Sequence, residues 1–109
     1  MSAGLGGEGD RPGAELTALR ERLDAIDRQL LTDLADRFRV TREVGSVKAT
    51  ARLPAFDARR EEAVLDRLVE LDEAQGLDPW LIRRVYRLIF DTVVAEHRAQ
   101  QGEPGPRVP

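Results

Sequence analysis

The feature that most restricts this chain is an apolar repeat of helical period that runs from Leu16 to Val47 without meeting a proline. Leu16, Leu19, Leu23, Ile26, Leu30 and Leu34 recur at steps of three and four, and Phe38, Val44 and Val47 continue the pattern. Such spacing lines apolar side chains along one stripe of an α-helix. A helix from about Glu15 to Ala49 would extend about 50 Å at a rise of about 1.5 Å per residue. No alternating run of period two competes as a strand, and no internal repeat is found.

Glycine and proline mark the limits of the folded part. They crowd the ends, with Gly at 4, 6, 7, 9, 13, 102 and 105 and Pro at 12, 104, 106 and 109, whereas residues 14–101 hold only Gly45, Gly76, Pro54 and Pro79. We therefore expect disordered tails over 1–13 and 102–109 and a helical domain over 14–101. Arg52-Leu53-Pro54-Ala55 breaks the first helix, because proline disfavours helical geometry in the residue before it and lacks a backbone donor. A second helix is predicted from about Asp57, burying Val64, Leu65, Leu68 and Leu71 and stopping near Gly76. Asp78 then caps a third helix with Pro79 at its first position and an apolar stripe of Ile82, Tyr86, Ile89, Val93 and His97. The expected fold is all-α, with three helices of which the first is far the longest. Two shorter helices cannot cover its whole apolar face, and the face left over predicts a homodimer.

Composition removes several classes of function. Net charge is −3 with acids and bases interspersed, so no basic tract suited to nucleic acid is present. No apolar run approaches the roughly 20 residues that span a bilayer, and the N-terminus lacks the basic start and apolar core of a signal peptide. The chain has no cysteine and one histidine, which argues against disulfides, thiolate chemistry and zinc. A cytoplasmic, soluble protein without metal or cofactor is the expectation.

Cations set into the apolar stripes point to a ligand. Arg37, Thr41, Val44 and Lys48 follow steps of four, three and four, and the steps from Arg37 to Lys48 return to within roughly 20° around the helix. A cation at a core position is costly unless it meets an anion or a buried carboxylate. Arg60, at the start of the second helix, is a third such cation. Arg20 lies about 25 Å before Arg37 along the axis and about 100° around it, so one small ligand cannot touch both on one chain. Two readings of Arg20 stay open: a surface pair with Asp24 at i+4, or a contact delivered from the partner's helix in an antiparallel dimer.

These residues fall in an order that resembles the all-helical chorismate mutases of the bacterial AroQ class, over Leu16 to Arg98. The matching pieces are Leu19-Arg20-Glu21-Arg22-Leu23-Asp24-Ala25-Ile26-Asp27, then Ala35-Asp36-Arg37, Glu43-Val44-Gly45-Ser46-Val47-Lys48, Pro54 with Asp57, and Arg60-Glu61. The resemblance implies an intertwined homodimer in which each of two active sites is completed by an arginine of the other chain, here Arg20. It implies that Arg37 and Arg60, helped by Arg20, hold the two carboxylates of chorismate, that Lys48 meets the ether oxygen, and that Asp57 and Glu61 lie near the ring hydroxyl. The implied reaction is the Claisen rearrangement of chorismate to prephenate, with Lys48, His97, Arg37 and Glu61 as catalytic residues and no metal or cofactor.

Departures from the pattern matter as much as matches. The bacterial enzymes place Gln at the position of His97, as a second donor to the ether oxygen, and fungal relatives place Glu there. An imidazole donates in either charge state, so turnover is expected to vary between about pH 5 and 8. The other reading of His97 is a cation closing the last turn of the third helix. Val93 stands where a small hydroxylic residue is usual, which alters packing at the ring end of the pocket. Two related activities use the same scaffold, the isochorismate-pyruvate lyases and the mutases of 4-amino-4-deoxychorismate. Both tend to place an apolar residue where this chain has Glu61. A non-catalytic regulatory partner of a shikimate-pathway enzyme is the remaining alternative. Trp80 and Tyr86 are read as packing residues, Gly45 as a point where the first helix approaches ligand or partner closely, and Arg59 and Glu62 as solvated, with Arg60 and Glu61 turned inward.

Overall fold

The computed structural model describes the backbone of residues 2–102 and the side chains of residues 10–102. Helix α1 spans Ser2–Ala51, α2 spans Ala58–Val69, a single 3-10 turn covers Asp72–Ala74, and α3 spans Pro79–Gln100. Among the described residues there is no strand, so the chain is all-α with three helices, the first far the longest. No described helix is long and apolar enough to cross a membrane. α1 begins upstream of the expected start at Glu15 and carries Pro12 within it. Of the expected C-terminal tail, only Gly102 falls within the described residues.

Each helix end has a local cause. α1 stops where Arg52 turns left-handed, at φ 57°. Leu53 N then donates to Lys48 O at 2.8 Å and Arg52 N to Ala49 O at 3.3 Å. This is the two-bond closure that satisfies the last carbonyls of a helix, here made without the usual glycine. Pro54 prevents any continuation. At α2, Asp57 Oδ1 accepts from Arg60 N at 3.0 Å and serves as the N-cap. α2 ends at Val69 and not near Gly76, which corrects the expected boundary. Leu71 is extended there and 41% exposed. Glu70, Asp72 and Glu73 explain the early stop: acids are disfavoured at a helix C-terminus, and Asp72 and Glu73 instead occupy the first turn of the 3-10 segment. α3 opens as expected, with Asp78 Oδ1 accepting from Trp80 N at 2.8 Å and Pro79 at the first helical position.

The chain divides into two units between Arg37 and Phe38. In the second unit α2 packs on α3, with Val64 and Leu65 against Phe90 and with Leu68 and Tyr86 at the margin. The Tyr86 and Phe90 rings meet edge to face, with centroids 5.9 Å apart. Phe90 was not in the expected stripe; it sits one position beyond Ile89 and widens that stripe by about 100°. Arg83 spans to Asp66 at 3.0 Å and Glu62 at 3.5 Å on the exposed rim of the same contact.

In the first unit every described side chain from Asp10 to Asp36 is exposed. The leucine stripe is therefore in water, with Leu23 at 56%, Ile26 at 54% and Leu30 at 60% exposure. A helix gains most of its stability from burying such a face, and its own chain does not do so here. Leu71 joins this exposed set, while Val64, Leu65 and Ile82 are buried as expected.

The Asp78 cap yields a direct expectation. Asp78→Ala leaves Trp80 N without its acceptor and should cost about 1 kcal/mol, read as a lower denaturation midpoint at unchanged slope.

Candidate functional site

Lys48 sits on the last turn of α1, where a cation is favoured by the helix dipole. It is half-buried, and its Nζ donates to Ala55 O over a long 3.4 Å. Because α1 turns sharply at Arg52, the segment that follows folds back beside Lys48. Together they line an open cleft of about 480 Å³ whose walls include Leu53, Pro54, Phe56 and Asp57. One Asp57 oxygen is occupied by the capping bond to Arg60 N. An ammonium with one weak partner retains donors for an anion or an ether oxygen.

His97 is buried at 2% exposure, on the last turn of α3. Its Nε2 lies 2.7 Å from Thr41 O on α1, and since a carbonyl only accepts, Nε2 carries the proton of that bond. The ring Nδ1 is buried and has no hydrogen-bond partner. Gln100, one turn away, donates from Nε2 to Arg42 O at 3.0 Å and reaches Ser46 Oγ at 3.4 Å. Both α3 side chains thus use the second lone pair of a helical carbonyl. Gly45 makes the approach possible. A Cβ there would stand 2.7 Å from His97 Cδ2 and would overlap the Gln100 amide oxygen. The close approach at Gly45 is made to α3 of the same chain, not to the ligand or partner expected there.

Glu61, in the first turn of α2, is buried as expected. Arg87 of α3 binds it, Nη1 to Oε1, at 2.5 Å, and also lies 3.9 Å from Asp91. The hydrogen bond to Glu61 is the largest cause holding the Arg87 guanidinium above its ordinary range; burial opposes it, and the charges of Glu61, Asp91 and Glu62 add to it. Arg59 and Glu62 are solvated as expected. Arg60 is exposed as well, not turned inward: water is a cheaper surrounding for a guanidinium than a core position without a buried carboxylate beside it.

Val93 is half-buried on the inner side of α3. Lys48, Asp57, Arg60, Glu61, Val93 and His97 all belong to the second unit. Arg20 and Arg37 belong to the first, where Arg20 is exposed and Arg37 half-buried. Among the described residues no group of His, Asp and Glu is placed to hold a metal ion. Arg87 and Gln100 were not anticipated from the sequence. A signal for Arg87 existed: two antiparallel helices joined by a short turn should pair acids that step back along one with bases that step forward along the other. Glu61 with Arg87 and Asp66 with Arg83 follow that rule.

The family described as chorismate mutase type II matches residues 19–98. The bifunctional chorismate mutase/prephenate dehydratase of Escherichia coli K12 is 39% identical over 84 residues, which cover 77% of this chain and 22% of that protein. The T-protein of Enterobacter agglomerans is 42% identical over 77 residues, 71% of this chain and 21% of its own. The chorismate mutase of Methanocaldococcus jannaschii is 23% identical over 77 residues, 71% of this chain and 78% of that protein. The chain thus spans less than a quarter of the bifunctional relatives.

Gly45→Ala sets two effects against each other. Alanine gains about 1 kcal/mol of helix propensity, whereas overpacking costs about 1 to 3 kcal/mol. The His97 ring is held by a bond at 2.7 Å and cannot retreat freely, so a lower melting temperature is expected; a higher one would mean that the α3 side chains move aside without loss.

Proposed function

We propose, from the premise that the chain belongs to the chorismate mutase type II family, that it rearranges chorismate to prephenate in the sites of an intertwined homodimer. The observation that carries this reading is Lys48, a half-buried ammonium beside an open cleft, whose one hydrogen-bond partner among the described residues is a carbonyl at 3.4 Å.

In the rearrangement the ether C–O bond breaks as a C–C bond forms between the enolpyruvyl carbon and the ring. No proton is transferred and no covalent intermediate with the protein is needed. What the protein can contribute is conformation and charge. Arg37 and Arg60, with Arg20 from the second copy, would grip the two carboxylates through planar forks and hold the flexible arm over the ring. Negative charge grows on the ether oxygen as the bond opens. A preorganised Lys48 ammonium stabilises that oxygen more in the transition state than in the ground state. Glu61 and Asp57 would face the ring hydroxyl, and Val93 would pack at the ring end.

His97 enters this scheme with a restriction. Its Nε2 proton is committed to Thr41 O, so a neutral ring has no donor left for the ether oxygen. Only the imidazolium offers a second N–H, at Nδ1. His97 therefore has a donor for the ether oxygen only through Nδ1 of an imidazolium, and Lys48 is the donor that does not depend on it.

The dimer is supported by the leucine stripe of α1. Leu16, Leu19, Leu23, Ile26 and Leu30 are each about half or more exposed within one chain. A second copy presenting the same stripe would cover it and would bring Arg20 to a site made by the first. We place this domain at 14–101, between the two tails, in a cytoplasmic protein that needs neither metal nor cofactor.

Two measurements test the reading. Incubation with chorismate, followed by ultraviolet absorbance and product mass, should give prephenate, and Lys48→Ala should lower turnover at least about a hundredfold. Intact chorismate would remove the reading and turn attention to isochorismate and 4-amino-4-deoxychorismate. The melting temperature should rise with protein concentration, as folding and association are linked in such a dimer; a concentration-independent melt of a monomer would exclude the shared site.

A further inference from the structure

Arg87 has no part in the scheme above, yet among the described residues it is the one side chain bound to Glu61. The bond engages a single carboxylate oxygen, Oε1, and Oε2 makes no hydrogen bond among the described residues. Glu61 is buried, with 11% of its side chain exposed, while Arg87 reaches it from α3 with 45% of its own side chain in water. The carboxylate is thus held in place from one side and left with one free acceptor oxygen. Its charge is matched by a guanidinium within hydrogen-bond distance.

The other acids nearby act on Arg87 more weakly than Glu61 does. On α3, Asp91 stands 3.9 Å from Arg87 Nη1, but its side chain is 67% exposed and its field is weakened by water. On α2, Glu62 and Asp66 are both exposed and face Arg83. Asp57 and Arg60, in the turn that opens α2, are exposed and linked through the capping bond. Glu61 and Arg87 therefore form the shielded pair, and its net charge is zero.

We propose that Arg87 is a specificity-determining residue: by neutralising Glu61 it makes that end of the pocket an acceptor for a ligand's ring hydroxyl and an unfavourable place for an ammonium. The inference rests on the mutase reading, in which Glu61 faces the substituted ring carbon. A hydroxyl needs only the free oxygen of Glu61. An ammonium gains the same hydrogen bond but meets the guanidinium across the carboxylate, and the attraction that a bare buried carboxylate would give it is largely cancelled. This distinguishes chorismate from 4-amino-4-deoxychorismate, which differ in that one substituent. Arg87 need not touch the substrate; it acts through Glu61.

The test compares kcat/KM for chorismate and for 4-amino-4-deoxychorismate in wild type, Arg87→Gln, Arg87→Lys and Glu61→Gln. Wild type should prefer chorismate. Arg87→Gln should shift the ratio toward the amino substrate by at least about tenfold, chiefly through a lower KM for it, because the carboxylate is then unopposed. Arg87→Lys retains the cation and should keep the wild-type ratio. Glu61→Gln leaves the cation unopposed and should move the ratio the other way, and it decides the matter if Arg87→Gln does not fold. Chorismate turnover by wild type with the same ratio in every variant would overturn this inference and leave the mutase reading standing. Turnover of neither substrate by wild type would remove the mutase reading and the inference with it.

Discussion

The packing of Val64 and Leu65 on Phe90 is the contact on which the second unit depends. It fixes how α2 lies against α3, and the polar features that matter are registered to it. Glu61 lies one turn before Leu65 and meets Arg87, itself one turn before Phe90. The core around this contact is small. Only Ala55, Val64, Leu65, Ile82 and Phe90 are buried apolar residues among those described. Hydrophobic stabilisation scales with area removed from water, and ordering long helices costs conformational entropy at every residue, so this much burial calls for a further surface. The stripe of α1 is the apolar surface that one chain leaves uncovered.

The second organising contact is polar. α3 approaches α1 at Gly45, where the absence of a side chain admits the His97 ring and the Gln100 amide to carbonyls that are already bonded within the helix. Burying an imidazole at 2% exposure is tolerable because one nitrogen is paired. The same pairing limits what that nitrogen can do for a ligand. At His97 the Nε2 proton is spent on Thr41 O, whereas at Lys48 the bond to Ala55 O is long, at 3.4 Å.

Much of the fold was legible in the sequence because its signals are local. Asp78-Pro79 announces a helix start in two residues, Pro54 forces a break, and the steps of three and four from Leu16 onward can be read without knowing any neighbour. The early end of α2 is not signalled by Gly76 but by the acids at 70, 72 and 73, which oppose a helix C-terminus through its dipole. Phe90 was missed because an inner face wider than one stripe depends on how two helices cross. The inward placement expected for Arg60 failed for a related reason: its spacing named a face, and within one chain that face lies in water at this position.

By itself, then, the sequence determined an all-helical chain with a first helix whose apolar stripe outruns the other two, and it carried the match to the chorismate mutase type II family. Periodicity, capping and turn chemistry act over a few residues, and family motifs are ordered along the chain, so both survive in one dimension. Only the tertiary structure decided which polar groups are already spent: that Glu61 is bound by Arg87 from 26 residues away, and that His97 gives its Nε2 to Thr41 from 56 residues away. Hydrogen bonds and ion pairs depend on distances of a few ångströms between helices, and those distances are set by packing, which no spacing along a single helix contains.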